Sequence, residues 1–366
     1  MQEEHNRDYG RRVESLGCTV VRRGPWASVG TAARVQGWKL HLSSVPVEAV
    51  VLLDTVVPCL RADSVAFKVA NDVQVLSQLN EGRLGPTQIG KFMTIYPHSD
   101  DEARDIALEL MALTAAFRGP VIATDRRLGA IVYTRYGGFN PVVLHNRLGL
   151  FMTAIYAPDG SLRSDAYRVP FVPPEGVADP FAGIEYAPGG VPAVEASAAA
   201  NRLLGPGYLI LDIIRPDAKG AVLRALDLRS QDTVALKVIK QGRQYCYADV
   251  YGRDIRTRLQ RQAQLHARLE GIIPIPQADP YFEHAGDGYL PLAYIEGRTV
   301  EQVAHAALAN RSWASLADAQ QERLLGYLAQ LVIAVQALHA AGYVHHDLTA
   351  SNVWIGEDGC VYLLDL

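Results

Sequence analysis

Cysteine is scarce and scattered. Only four occur in 366 residues, at Cys18, Cys59, Cys246 and Cys360, and no two form a C-x-x-C pair. Such spacing builds neither a zinc site nor a disulfide framework, so a reducing, cytoplasmic setting is the expectation. An excess of one charge is lacking too. Thirty-five Lys and Arg face 39 Asp and Glu, and nothing in that balance marks a nucleic-acid partner. The opening segment MQEEHNRDYGRRVESLG has no apolar core and is not a secretory signal. The most membrane-like run, Leu324 to Val344, is interrupted by Gln330, Gln336 and His339. It is expected as a buried helix, with no membrane partner.

What is present is ordinary globular sequence in two stretches, divided by a weak one. From Pro170 to Ala200, Pro, Gly and Ala crowd together and apolar periodicity fades, as in a linker or irregular connection. The boundary is placed at residue 195, giving domains 1–195 and 196–366.

The first stretch mixes strands and helices, so an α+β domain is expected. In Trp38–Ser44, Trp38, Leu40 and Leu42 alternate with Lys39, His41 and Ser43. In Ser64–Ala70, Val65, Phe67 and Val69 lie opposite Lys68. Lys91–Pro97 and Ala130–Tyr136 are further strand-like runs. Ser99–Phe117 reads as an amphipathic helix, with Ser99 as cap and acids in its first turn. Lys39, His41, Lys68, Lys91, Arg126 and Arg135 together could hold a phosphate through charge-assisted hydrogen bonds. Lys68, set among apolar residues, would have a lowered pKa suited to a general base.

The second stretch opens with a hairpin in Tyr208–Leu228 and a strand at Thr233–Lys240. Helices follow at Arg253–Leu269 and Glu322–Ala341, the latter ended by Gly342. The final segment, YVHHDLTASNVWIGEDGCVYLLDL, resembles a protein-kinase catalytic loop. Asp347 and Asn352 have the D-x-x-x-x-N spacing, and Asp365 follows a short hairpin as the metal-binding Asp of a DFG motif does. Phosphoryl transfer needs a carboxylate, here Asp347, near the attacking hydroxyl, and oxygen ligands, Asn352 and Asp365, to hold Mg²⁺ on the phosphates. Lys237 in VALKVIK is expected to grip the phosphates of ATP or GTP. Ala293, in the connector LPLAYIEGRTV, is expected to contact the nucleotide. The phosphate loop keeps Gly220 but not the full G-x-G-x-x-G. Gln262 stands where the helix glutamate is usual, His346 replaces the HRD arginine, and Thr349 occupies a common lysine position. The sequence stops one residue after Asp365, so this kinase is expected to be incomplete and inactive.

The order GWKLHLS, VAFKV, GKFMTIYP, VYTRYGGFNP and then a kinase resembles the N-terminal two-thirds of the class III and IV lanthionine synthetases. The resemblance implies a phosphothreonine-lyase-like domain followed by an incomplete protein-kinase-like fold. It implies a precursor (leader-core) peptide as substrate, phosphorylated on Ser or Thr and then stripped of phosphate to leave dehydroalanine or dehydrobutyrine. A cyclase domain, absent here, would be a missing segment or partner chain. By the same resemblance Lys68 would abstract the α-proton and His41 would protonate the departing phosphate. Lys39, Arg126 and Arg135 would bind that phosphate, with Lys91 as a weaker candidate. The lyase would need no cofactor; the kinase would need ATP or GTP with Mg²⁺. Two rival readings are an unrelated kinase with an N-terminal regulatory module, and a non-catalytic module that holds peptide or nucleotide.

Overall fold

A computed structural model describes residues 7–140, 142–145, 149, 151–184, 186, 202–230, 232–309 and 311–366. The chain divides into two compact units. The first comprises 1–195 with 243–255, and the second 196–242 with 256–366. The architecture is mixed: antiparallel sheets with helices interspersed, of the α+β kind.

In the first unit, seven strands form one sheet. They are β1 (Val20–Arg23), β2 (Trp26–Val29), β3 (Gln36–Leu42), β4 (Ala66–Ala70), β5 (Met93–Tyr96), β6 (Arg126–Arg127) and β7 (Val132–Gly138), ordered β1-β2-β4-β5-β3-β7-β6. Every pairing is antiparallel. Four helices accompany the sheet: α1 (Tyr9–Ser15), α2 (Ala49–Ala62), α3 (Val73–Asn80) and α4 (Asp100–Leu113). Alternation decides which face is covered. Trp38, Leu40, Leu42, Phe67, Val69, Met93 and Ile95 all enter the apolar core, with α4 packed against β3 and β7. Helix α4 starts as its sequence suggests: the Ser99 hydroxyl accepts from the Glu102 N–H, and three acids fill the first turn. Helix α2 is less obvious, being rich in valine and carrying Pro58. Its buried Leu52, Leu53, Val56, Val57 and Leu60 nevertheless recur at helical spacing, and burial outweighs weak propensity. A smaller sheet, β8 (Val142–His145), β9 (Phe151–Tyr156) and β10 (Leu162–Ser164), follows.

Part of the stretch expected as a linker or irregular connection is irregular but packed. Phe171, Val177, Phe181 and Ile184 pack on the core of the first unit, and the Phe181 ring meets Trp38 edge-on at 5.4 Å. The segment is irregular because its prolines cannot donate to a strand ladder, yet Phe181 buries fully and Phe171 partly. The rest of the linker, from 187, lies outside the described residues. Segment 243–255 also departs from the expected boundary. It makes no strand pairing with the second unit and clusters with the first, where Val250 lines a surface cleft with Val73 and Gln74.

In the second unit, β11 (Leu203–Leu204), β12 (Tyr208–Arg215), β13 (Val222–Asp227), β14 (Ala235–Gly242), β15 (Phe282–His284) and β16 (Asp287–Ala293) form a six-stranded sheet ordered β11-β12-β13-β14-β16-β15. Helix α5 (Ile255–Leu269) precedes β15. After β16 come β17 (Gly297–Thr299), α6 (Val300–Leu308), α7 (Asp318–Ala340), β18 (Val353–Gly356) and β19 (Val361–Leu363). Strands β17, β18 and β19 make a three-stranded sheet against which α7 rests. The expectation that α7 is buried fails. Only Ala334 and Leu338 are fully enclosed, whereas Leu325, Leu328, Val332 and Ile333 face outward. Contact with the small sheet uses one narrow stripe of a helix whose apolar residues from Leu324 onward lie on several faces. By length and composition this helix could cross a membrane.

Candidate active site

The register of the first sheet builds the site. Ser28 lies opposite Lys68, Lys68 opposite Thr94, Thr94 opposite His41, and His41 opposite Tyr133. Directly opposed residues of an antiparallel sheet share a face, so these five side chains stand in one row. It is the face away from Trp38 and Leu40. Lys68 and His41 flank Thr94, separated by one intervening strand, about 10 Å between their backbones. Two residues along, Lys39 lies opposite Arg135 on the same face.

Two carboxylates organise these cations. Asp125, just before β6, faces His41 Nδ1 at 2.5 Å and Lys91 Nζ at 3.1 Å, and accepts from the Thr124 hydroxyl at 2.9 Å. Asp165, just after β10, pairs with Arg135 and accepts the Gly138 N–H at 3.1 Å. Gly137 makes room for that approach: a Cβ there would stand 3.0 Å from the Asp165 carboxylate and 3.2 Å from Lys39 Cε. Lys39 Nζ donates to the Gly138 carbonyl at 2.7 Å. Tyr167 covers two of the cations, its ring centre 3.8 Å from the Arg135 guanidinium carbon and 4.8 Å from Lys91 Nζ.

The balance of charge is unequal. Lys39, Lys68, Lys91 and Arg135 are four cations, and Asp125 and Asp165 are their two carboxylates among the described residues. Burial is deep: Arg135 is 2% exposed, and its Nε and Nη1 have no hydrogen-bond partner. Buried, unpaired guanidinium nitrogens are costly, and an anion would satisfy them. Burial also takes Lys68 down to about 8, with the Lys91 charge adding to the shift. Burial takes Lys39 to about 8 against the attraction of Asp165. It lowers His41 as well, opposed by Asp125. For Asp125 burial pushes upward, but His41, Lys91 and Thr124 together hold the carboxyl far below its ordinary range. The site therefore contains amines near neutrality and a fixed anion behind the imidazole.

Arg126 is not part of it. Arg126 pairs with Thr134 in the register, so it points to the opposite face from His41. There it binds Asp179 and donates to the carbonyls of Phe181 at 3.0 Å and Ile184 at 2.9 Å. Lys39, His41, Lys68, Lys91 and Arg135 are brought together; Asp125, Asp165, Thr94 and Tyr167 were not anticipated. Asp125 adjoins Arg126 in TDRR, and a carboxylate beside a basic pair was the available signal.

In the second unit the expected residues fall differently. Lys237 faces Asp279 at 2.8 Å, within a cluster that includes Arg229 and Tyr208. Three positions along β14, and so on the other face, Lys240 donates to Gln262 at 3.1 Å and pairs with Asp365. Lys240, rather than Lys237, meets the expected helix and metal-loop residues. Asn352 donates its amide to the Asp347 carbonyl at 2.9 Å and carboxylate at 3.0 Å. His346 and Asp365 both hold left-handed backbone, φ +63° and +58°. Such conformations cost energy outside glycine and concentrate at functional loops. Gly220 is pressed onto β14, where a Cβ would lie 2.1 Å from the Gln241 carbonyl oxygen. Ala293 has already given its N–H to the Gln277 carbonyl at 2.7 Å, so that donor is not open to a nucleotide. Among the described residues, no group of three His, Cys, Asp or Glu could hold a metal ion.

Comparison with known proteins adds several similarities. Residues 7–188 match the family model described as RamC, N-terminal domain. The chain is 30% identical over 353 residues to a probable SapB synthase of Streptomyces coelicolor, covering 93% of this chain and 36% of that protein. It is also 29% identical over 161 residues to the serine/threonine-protein kinase PknD of Mycobacterium tuberculosis, covering 44% of this chain and 22% of the kinase. With human serine/threonine-protein kinase greatwall the identity is 25% over 193 residues, 51% of this chain and 20% of that protein. The chain thus spans about a third or less of the length of these relatives.

Proposed function

We propose, from the relationship of residues 7–188 to the RamC N-terminal domain, that this chain takes part in lanthipeptide-type modification of a precursor peptide, and that its first unit is a phosphoserine/phosphothreonine lyase. The observation that carries the reading is the row of Lys68, Thr94 and His41 on one sheet face, beside a pocket in which Lys39, Lys91, Arg135 and the protonated His41 exceed Asp125 and Asp165 by two charges when Lys68 is the neutral base. A phosphate monoester carries about −1.5 to −2 at neutral pH and matches that excess.

The neutral amine of Lys68 removes the α-proton of the phosphorylated residue. The electron pair forms the Cα–Cβ double bond, and the Cβ–O bond to phosphate breaks. His41 delivers a proton from Nε2 to the departing oxygen. Asp125 holds Nδ1 and so stabilises the imidazolium that this donation requires. Arg135, Lys39 and Lys91 neutralise the phosphate as it leaves. Burial disfavours imidazolium, and the incoming phosphate dianion reverses that preference. Incubating the protein with a phosphoseryl peptide and no nucleotide tests the reading. Loss of phosphoric acid by mass, abolished in Lys68→Met, is the expected result. An unchanged mass while the phosphopeptide is bound would reject it.

The second unit is read as part of the kinase that installs the phosphate, carrying its nucleotide-contacting residues. Lys240, steadied by Gln262, would meet the nucleotide phosphates, and Asp347 would face the accepting hydroxyl. Mg²⁺ fits the donor set of Asn352 and Asp365. Asn352 uses its amide nitrogen on Asp347, which leaves its carbonyl oxygen as a ligand, and Mg²⁺ is ordinarily held by few protein oxygens plus phosphates. The bound ion would neutralise charge on the transferring group. Lys240→Ala is expected to abolish binding of a fluorescent ATP analogue, whereas retained affinity would remove Lys240 from this role.

A further inference from the structure

Every cation of the lyase pocket but one is held by oxygen. Lys39 has the Gly138 carbonyl, Lys91 has Asp125 and Arg135 has Asp165. The Lys68 side chain has no hydrogen bond or ion pair to any described residue. Its Nζ stands instead 4.3 Å from the ring centre of Trp26. The sheet dictates this contact. Ser28 lies opposite Lys68 and Trp26 opposite Ala70, so Trp26 is the diagonal neighbour of Lys68 on the same face.

We propose that Trp26 is the positioning residue for the Lys68 amine, fixing it in the pocket with a ring face while leaving its lone pair open. The proposal rests on the lyase reading. A general base must be held in place and yet remain able to accept a proton. A carboxylate beside Lys68 would hold it as ammonium, and a hydrogen-bond donor would occupy the lone pair. An indole face does neither. It attracts the ammonium weakly, packs against the butyl stem, and faces an N–H when the amine is neutral. No carboxylate compensates for burial at Lys68, which is consistent with an amine that loses its proton readily. The bland alternative is that Trp26 only fills space, since it also packs against the core. The two differ in whether substitution changes the amine.

The experiment uses the full chain and the variants Trp26→Phe, Trp26→Leu and Trp26→Glu. Two measurements are made between pH 6 and 10. One is elimination from a phosphoseryl peptide; the other is acylation of Lys68 by acetic anhydride, read by peptide mass spectrometry. Trp26→Leu is expected to lower kcat on the order of tenfold with KM nearly unchanged, and Trp26→Phe to retain most of the rate. Trp26→Glu is expected to move the midpoint of Lys68 acylation upward by ~1–3 units and the kcat limb with it. Leu and Phe variants equal to wild type in kcat, or an unmoved acylation midpoint in Trp26→Glu, would overturn the proposal. A wild type that eliminates nothing refutes the lyase reading instead, and the acylation profiles still report whether Trp26 governs the amine.

Discussion

His41 Nδ1 and Asp125 Oδ2 lie 2.5 Å apart, both shut away from solvent, and the same carboxylate reaches Lys91 through its other oxygen. One buried anion thus orients the proposed acid and neutralises a neighbouring cation. Asp125→Asn should keep the shape but lose the charge that supports imidazolium. Elimination should fall by about 10²–10⁴, the usual contribution of a general acid, in a single-turnover assay. Asp125→Ala should also destabilise the first unit by about 3–5 kcal/mol in urea unfolding, because the buried Lys91 ammonium loses its counter-ion and His41 its hydrogen-bond partner. Asp125 titrates lower when folded, so its stabilisation is complete above the ordinary aspartate range and is lost as pH falls through and below that range.

Lys68 should work against stability. Its folded pKa of about 8 lies below the free value near 10.4, so the unfolded chain binds more protons between those values. Stability of the first unit should therefore rise with pH across that window. Lys68→Met should flatten the rise and increase Tm at pH 7 by about 2–4 °C while abolishing elimination. Calorimetry at pH 7 and pH 10 checks both effects, and an unchanged or lower Tm at pH 7 would contradict the buried-charge account.

Arg135 should matter through affinity for phosphate. Arg135→Lys keeps one charge but loses the planar fork that offers Nε and Nη1. KM for a phosphopeptide should rise by about tenfold or more, since a charged hydrogen bond contributes about 1.5–3 kcal/mol. Tyr167→Leu removes the ring over Arg135 and Lys91 and should raise KM less. Steady-state kinetics with the two variants side by side orders the effects.

Arg126 should matter for folding rather than chemistry. Arg126→Ala should lower the Tm of the first unit, because it releases Asp179 and the Phe181 and Ile184 carbonyls. At a temperature where the variant remains folded, kcat should match the unsubstituted protein. A selective loss of kcat would return Arg126 to the pocket.

Lys237 and Lys240 offer a parallel contrast in the second unit. Lys240→Ala should abolish nucleotide affinity. Lys237→Ala should instead loosen the Asp279 cluster, which is checked by thermal melting with and without ATP.

Alternation made much of the first sheet legible in the sequence. Trp38, Leu40 and Leu42 opposite Lys39 and His41 sort the two faces of β3 without ambiguity, and the isolated Lys68 stands out in β4. The partners of these cations were not legible. Asp165 reaches Arg135 from beyond a second sheet, and Asp125 sits in a turn without periodicity; tertiary proximity alone assigns them. The position of Arg126 is a matter of register, since adjacent residues on a strand face opposite ways and Arg127 lies opposite Tyr133. The placement of Lys237 is of the same kind. VALKVIK offers two lysines on opposite faces, and only tertiary contact shows that Lys240 is the one that meets Gln262.

The irregular segment from Phe171 to Ile184 bears on how the first unit can be dissected. Phe181 is fully buried beside Trp38, whose neighbours on β3 carry the proposed acid and a phosphate ligand. An excised lyase that stopped at the proline-rich turn would bare one side of Trp38 and leave the Arg126 guanidinium without Asp179. Its C-terminal boundary therefore has to fall beyond Ile184, and a shorter fragment that proved insoluble would say nothing about the chemistry of Lys68 and His41.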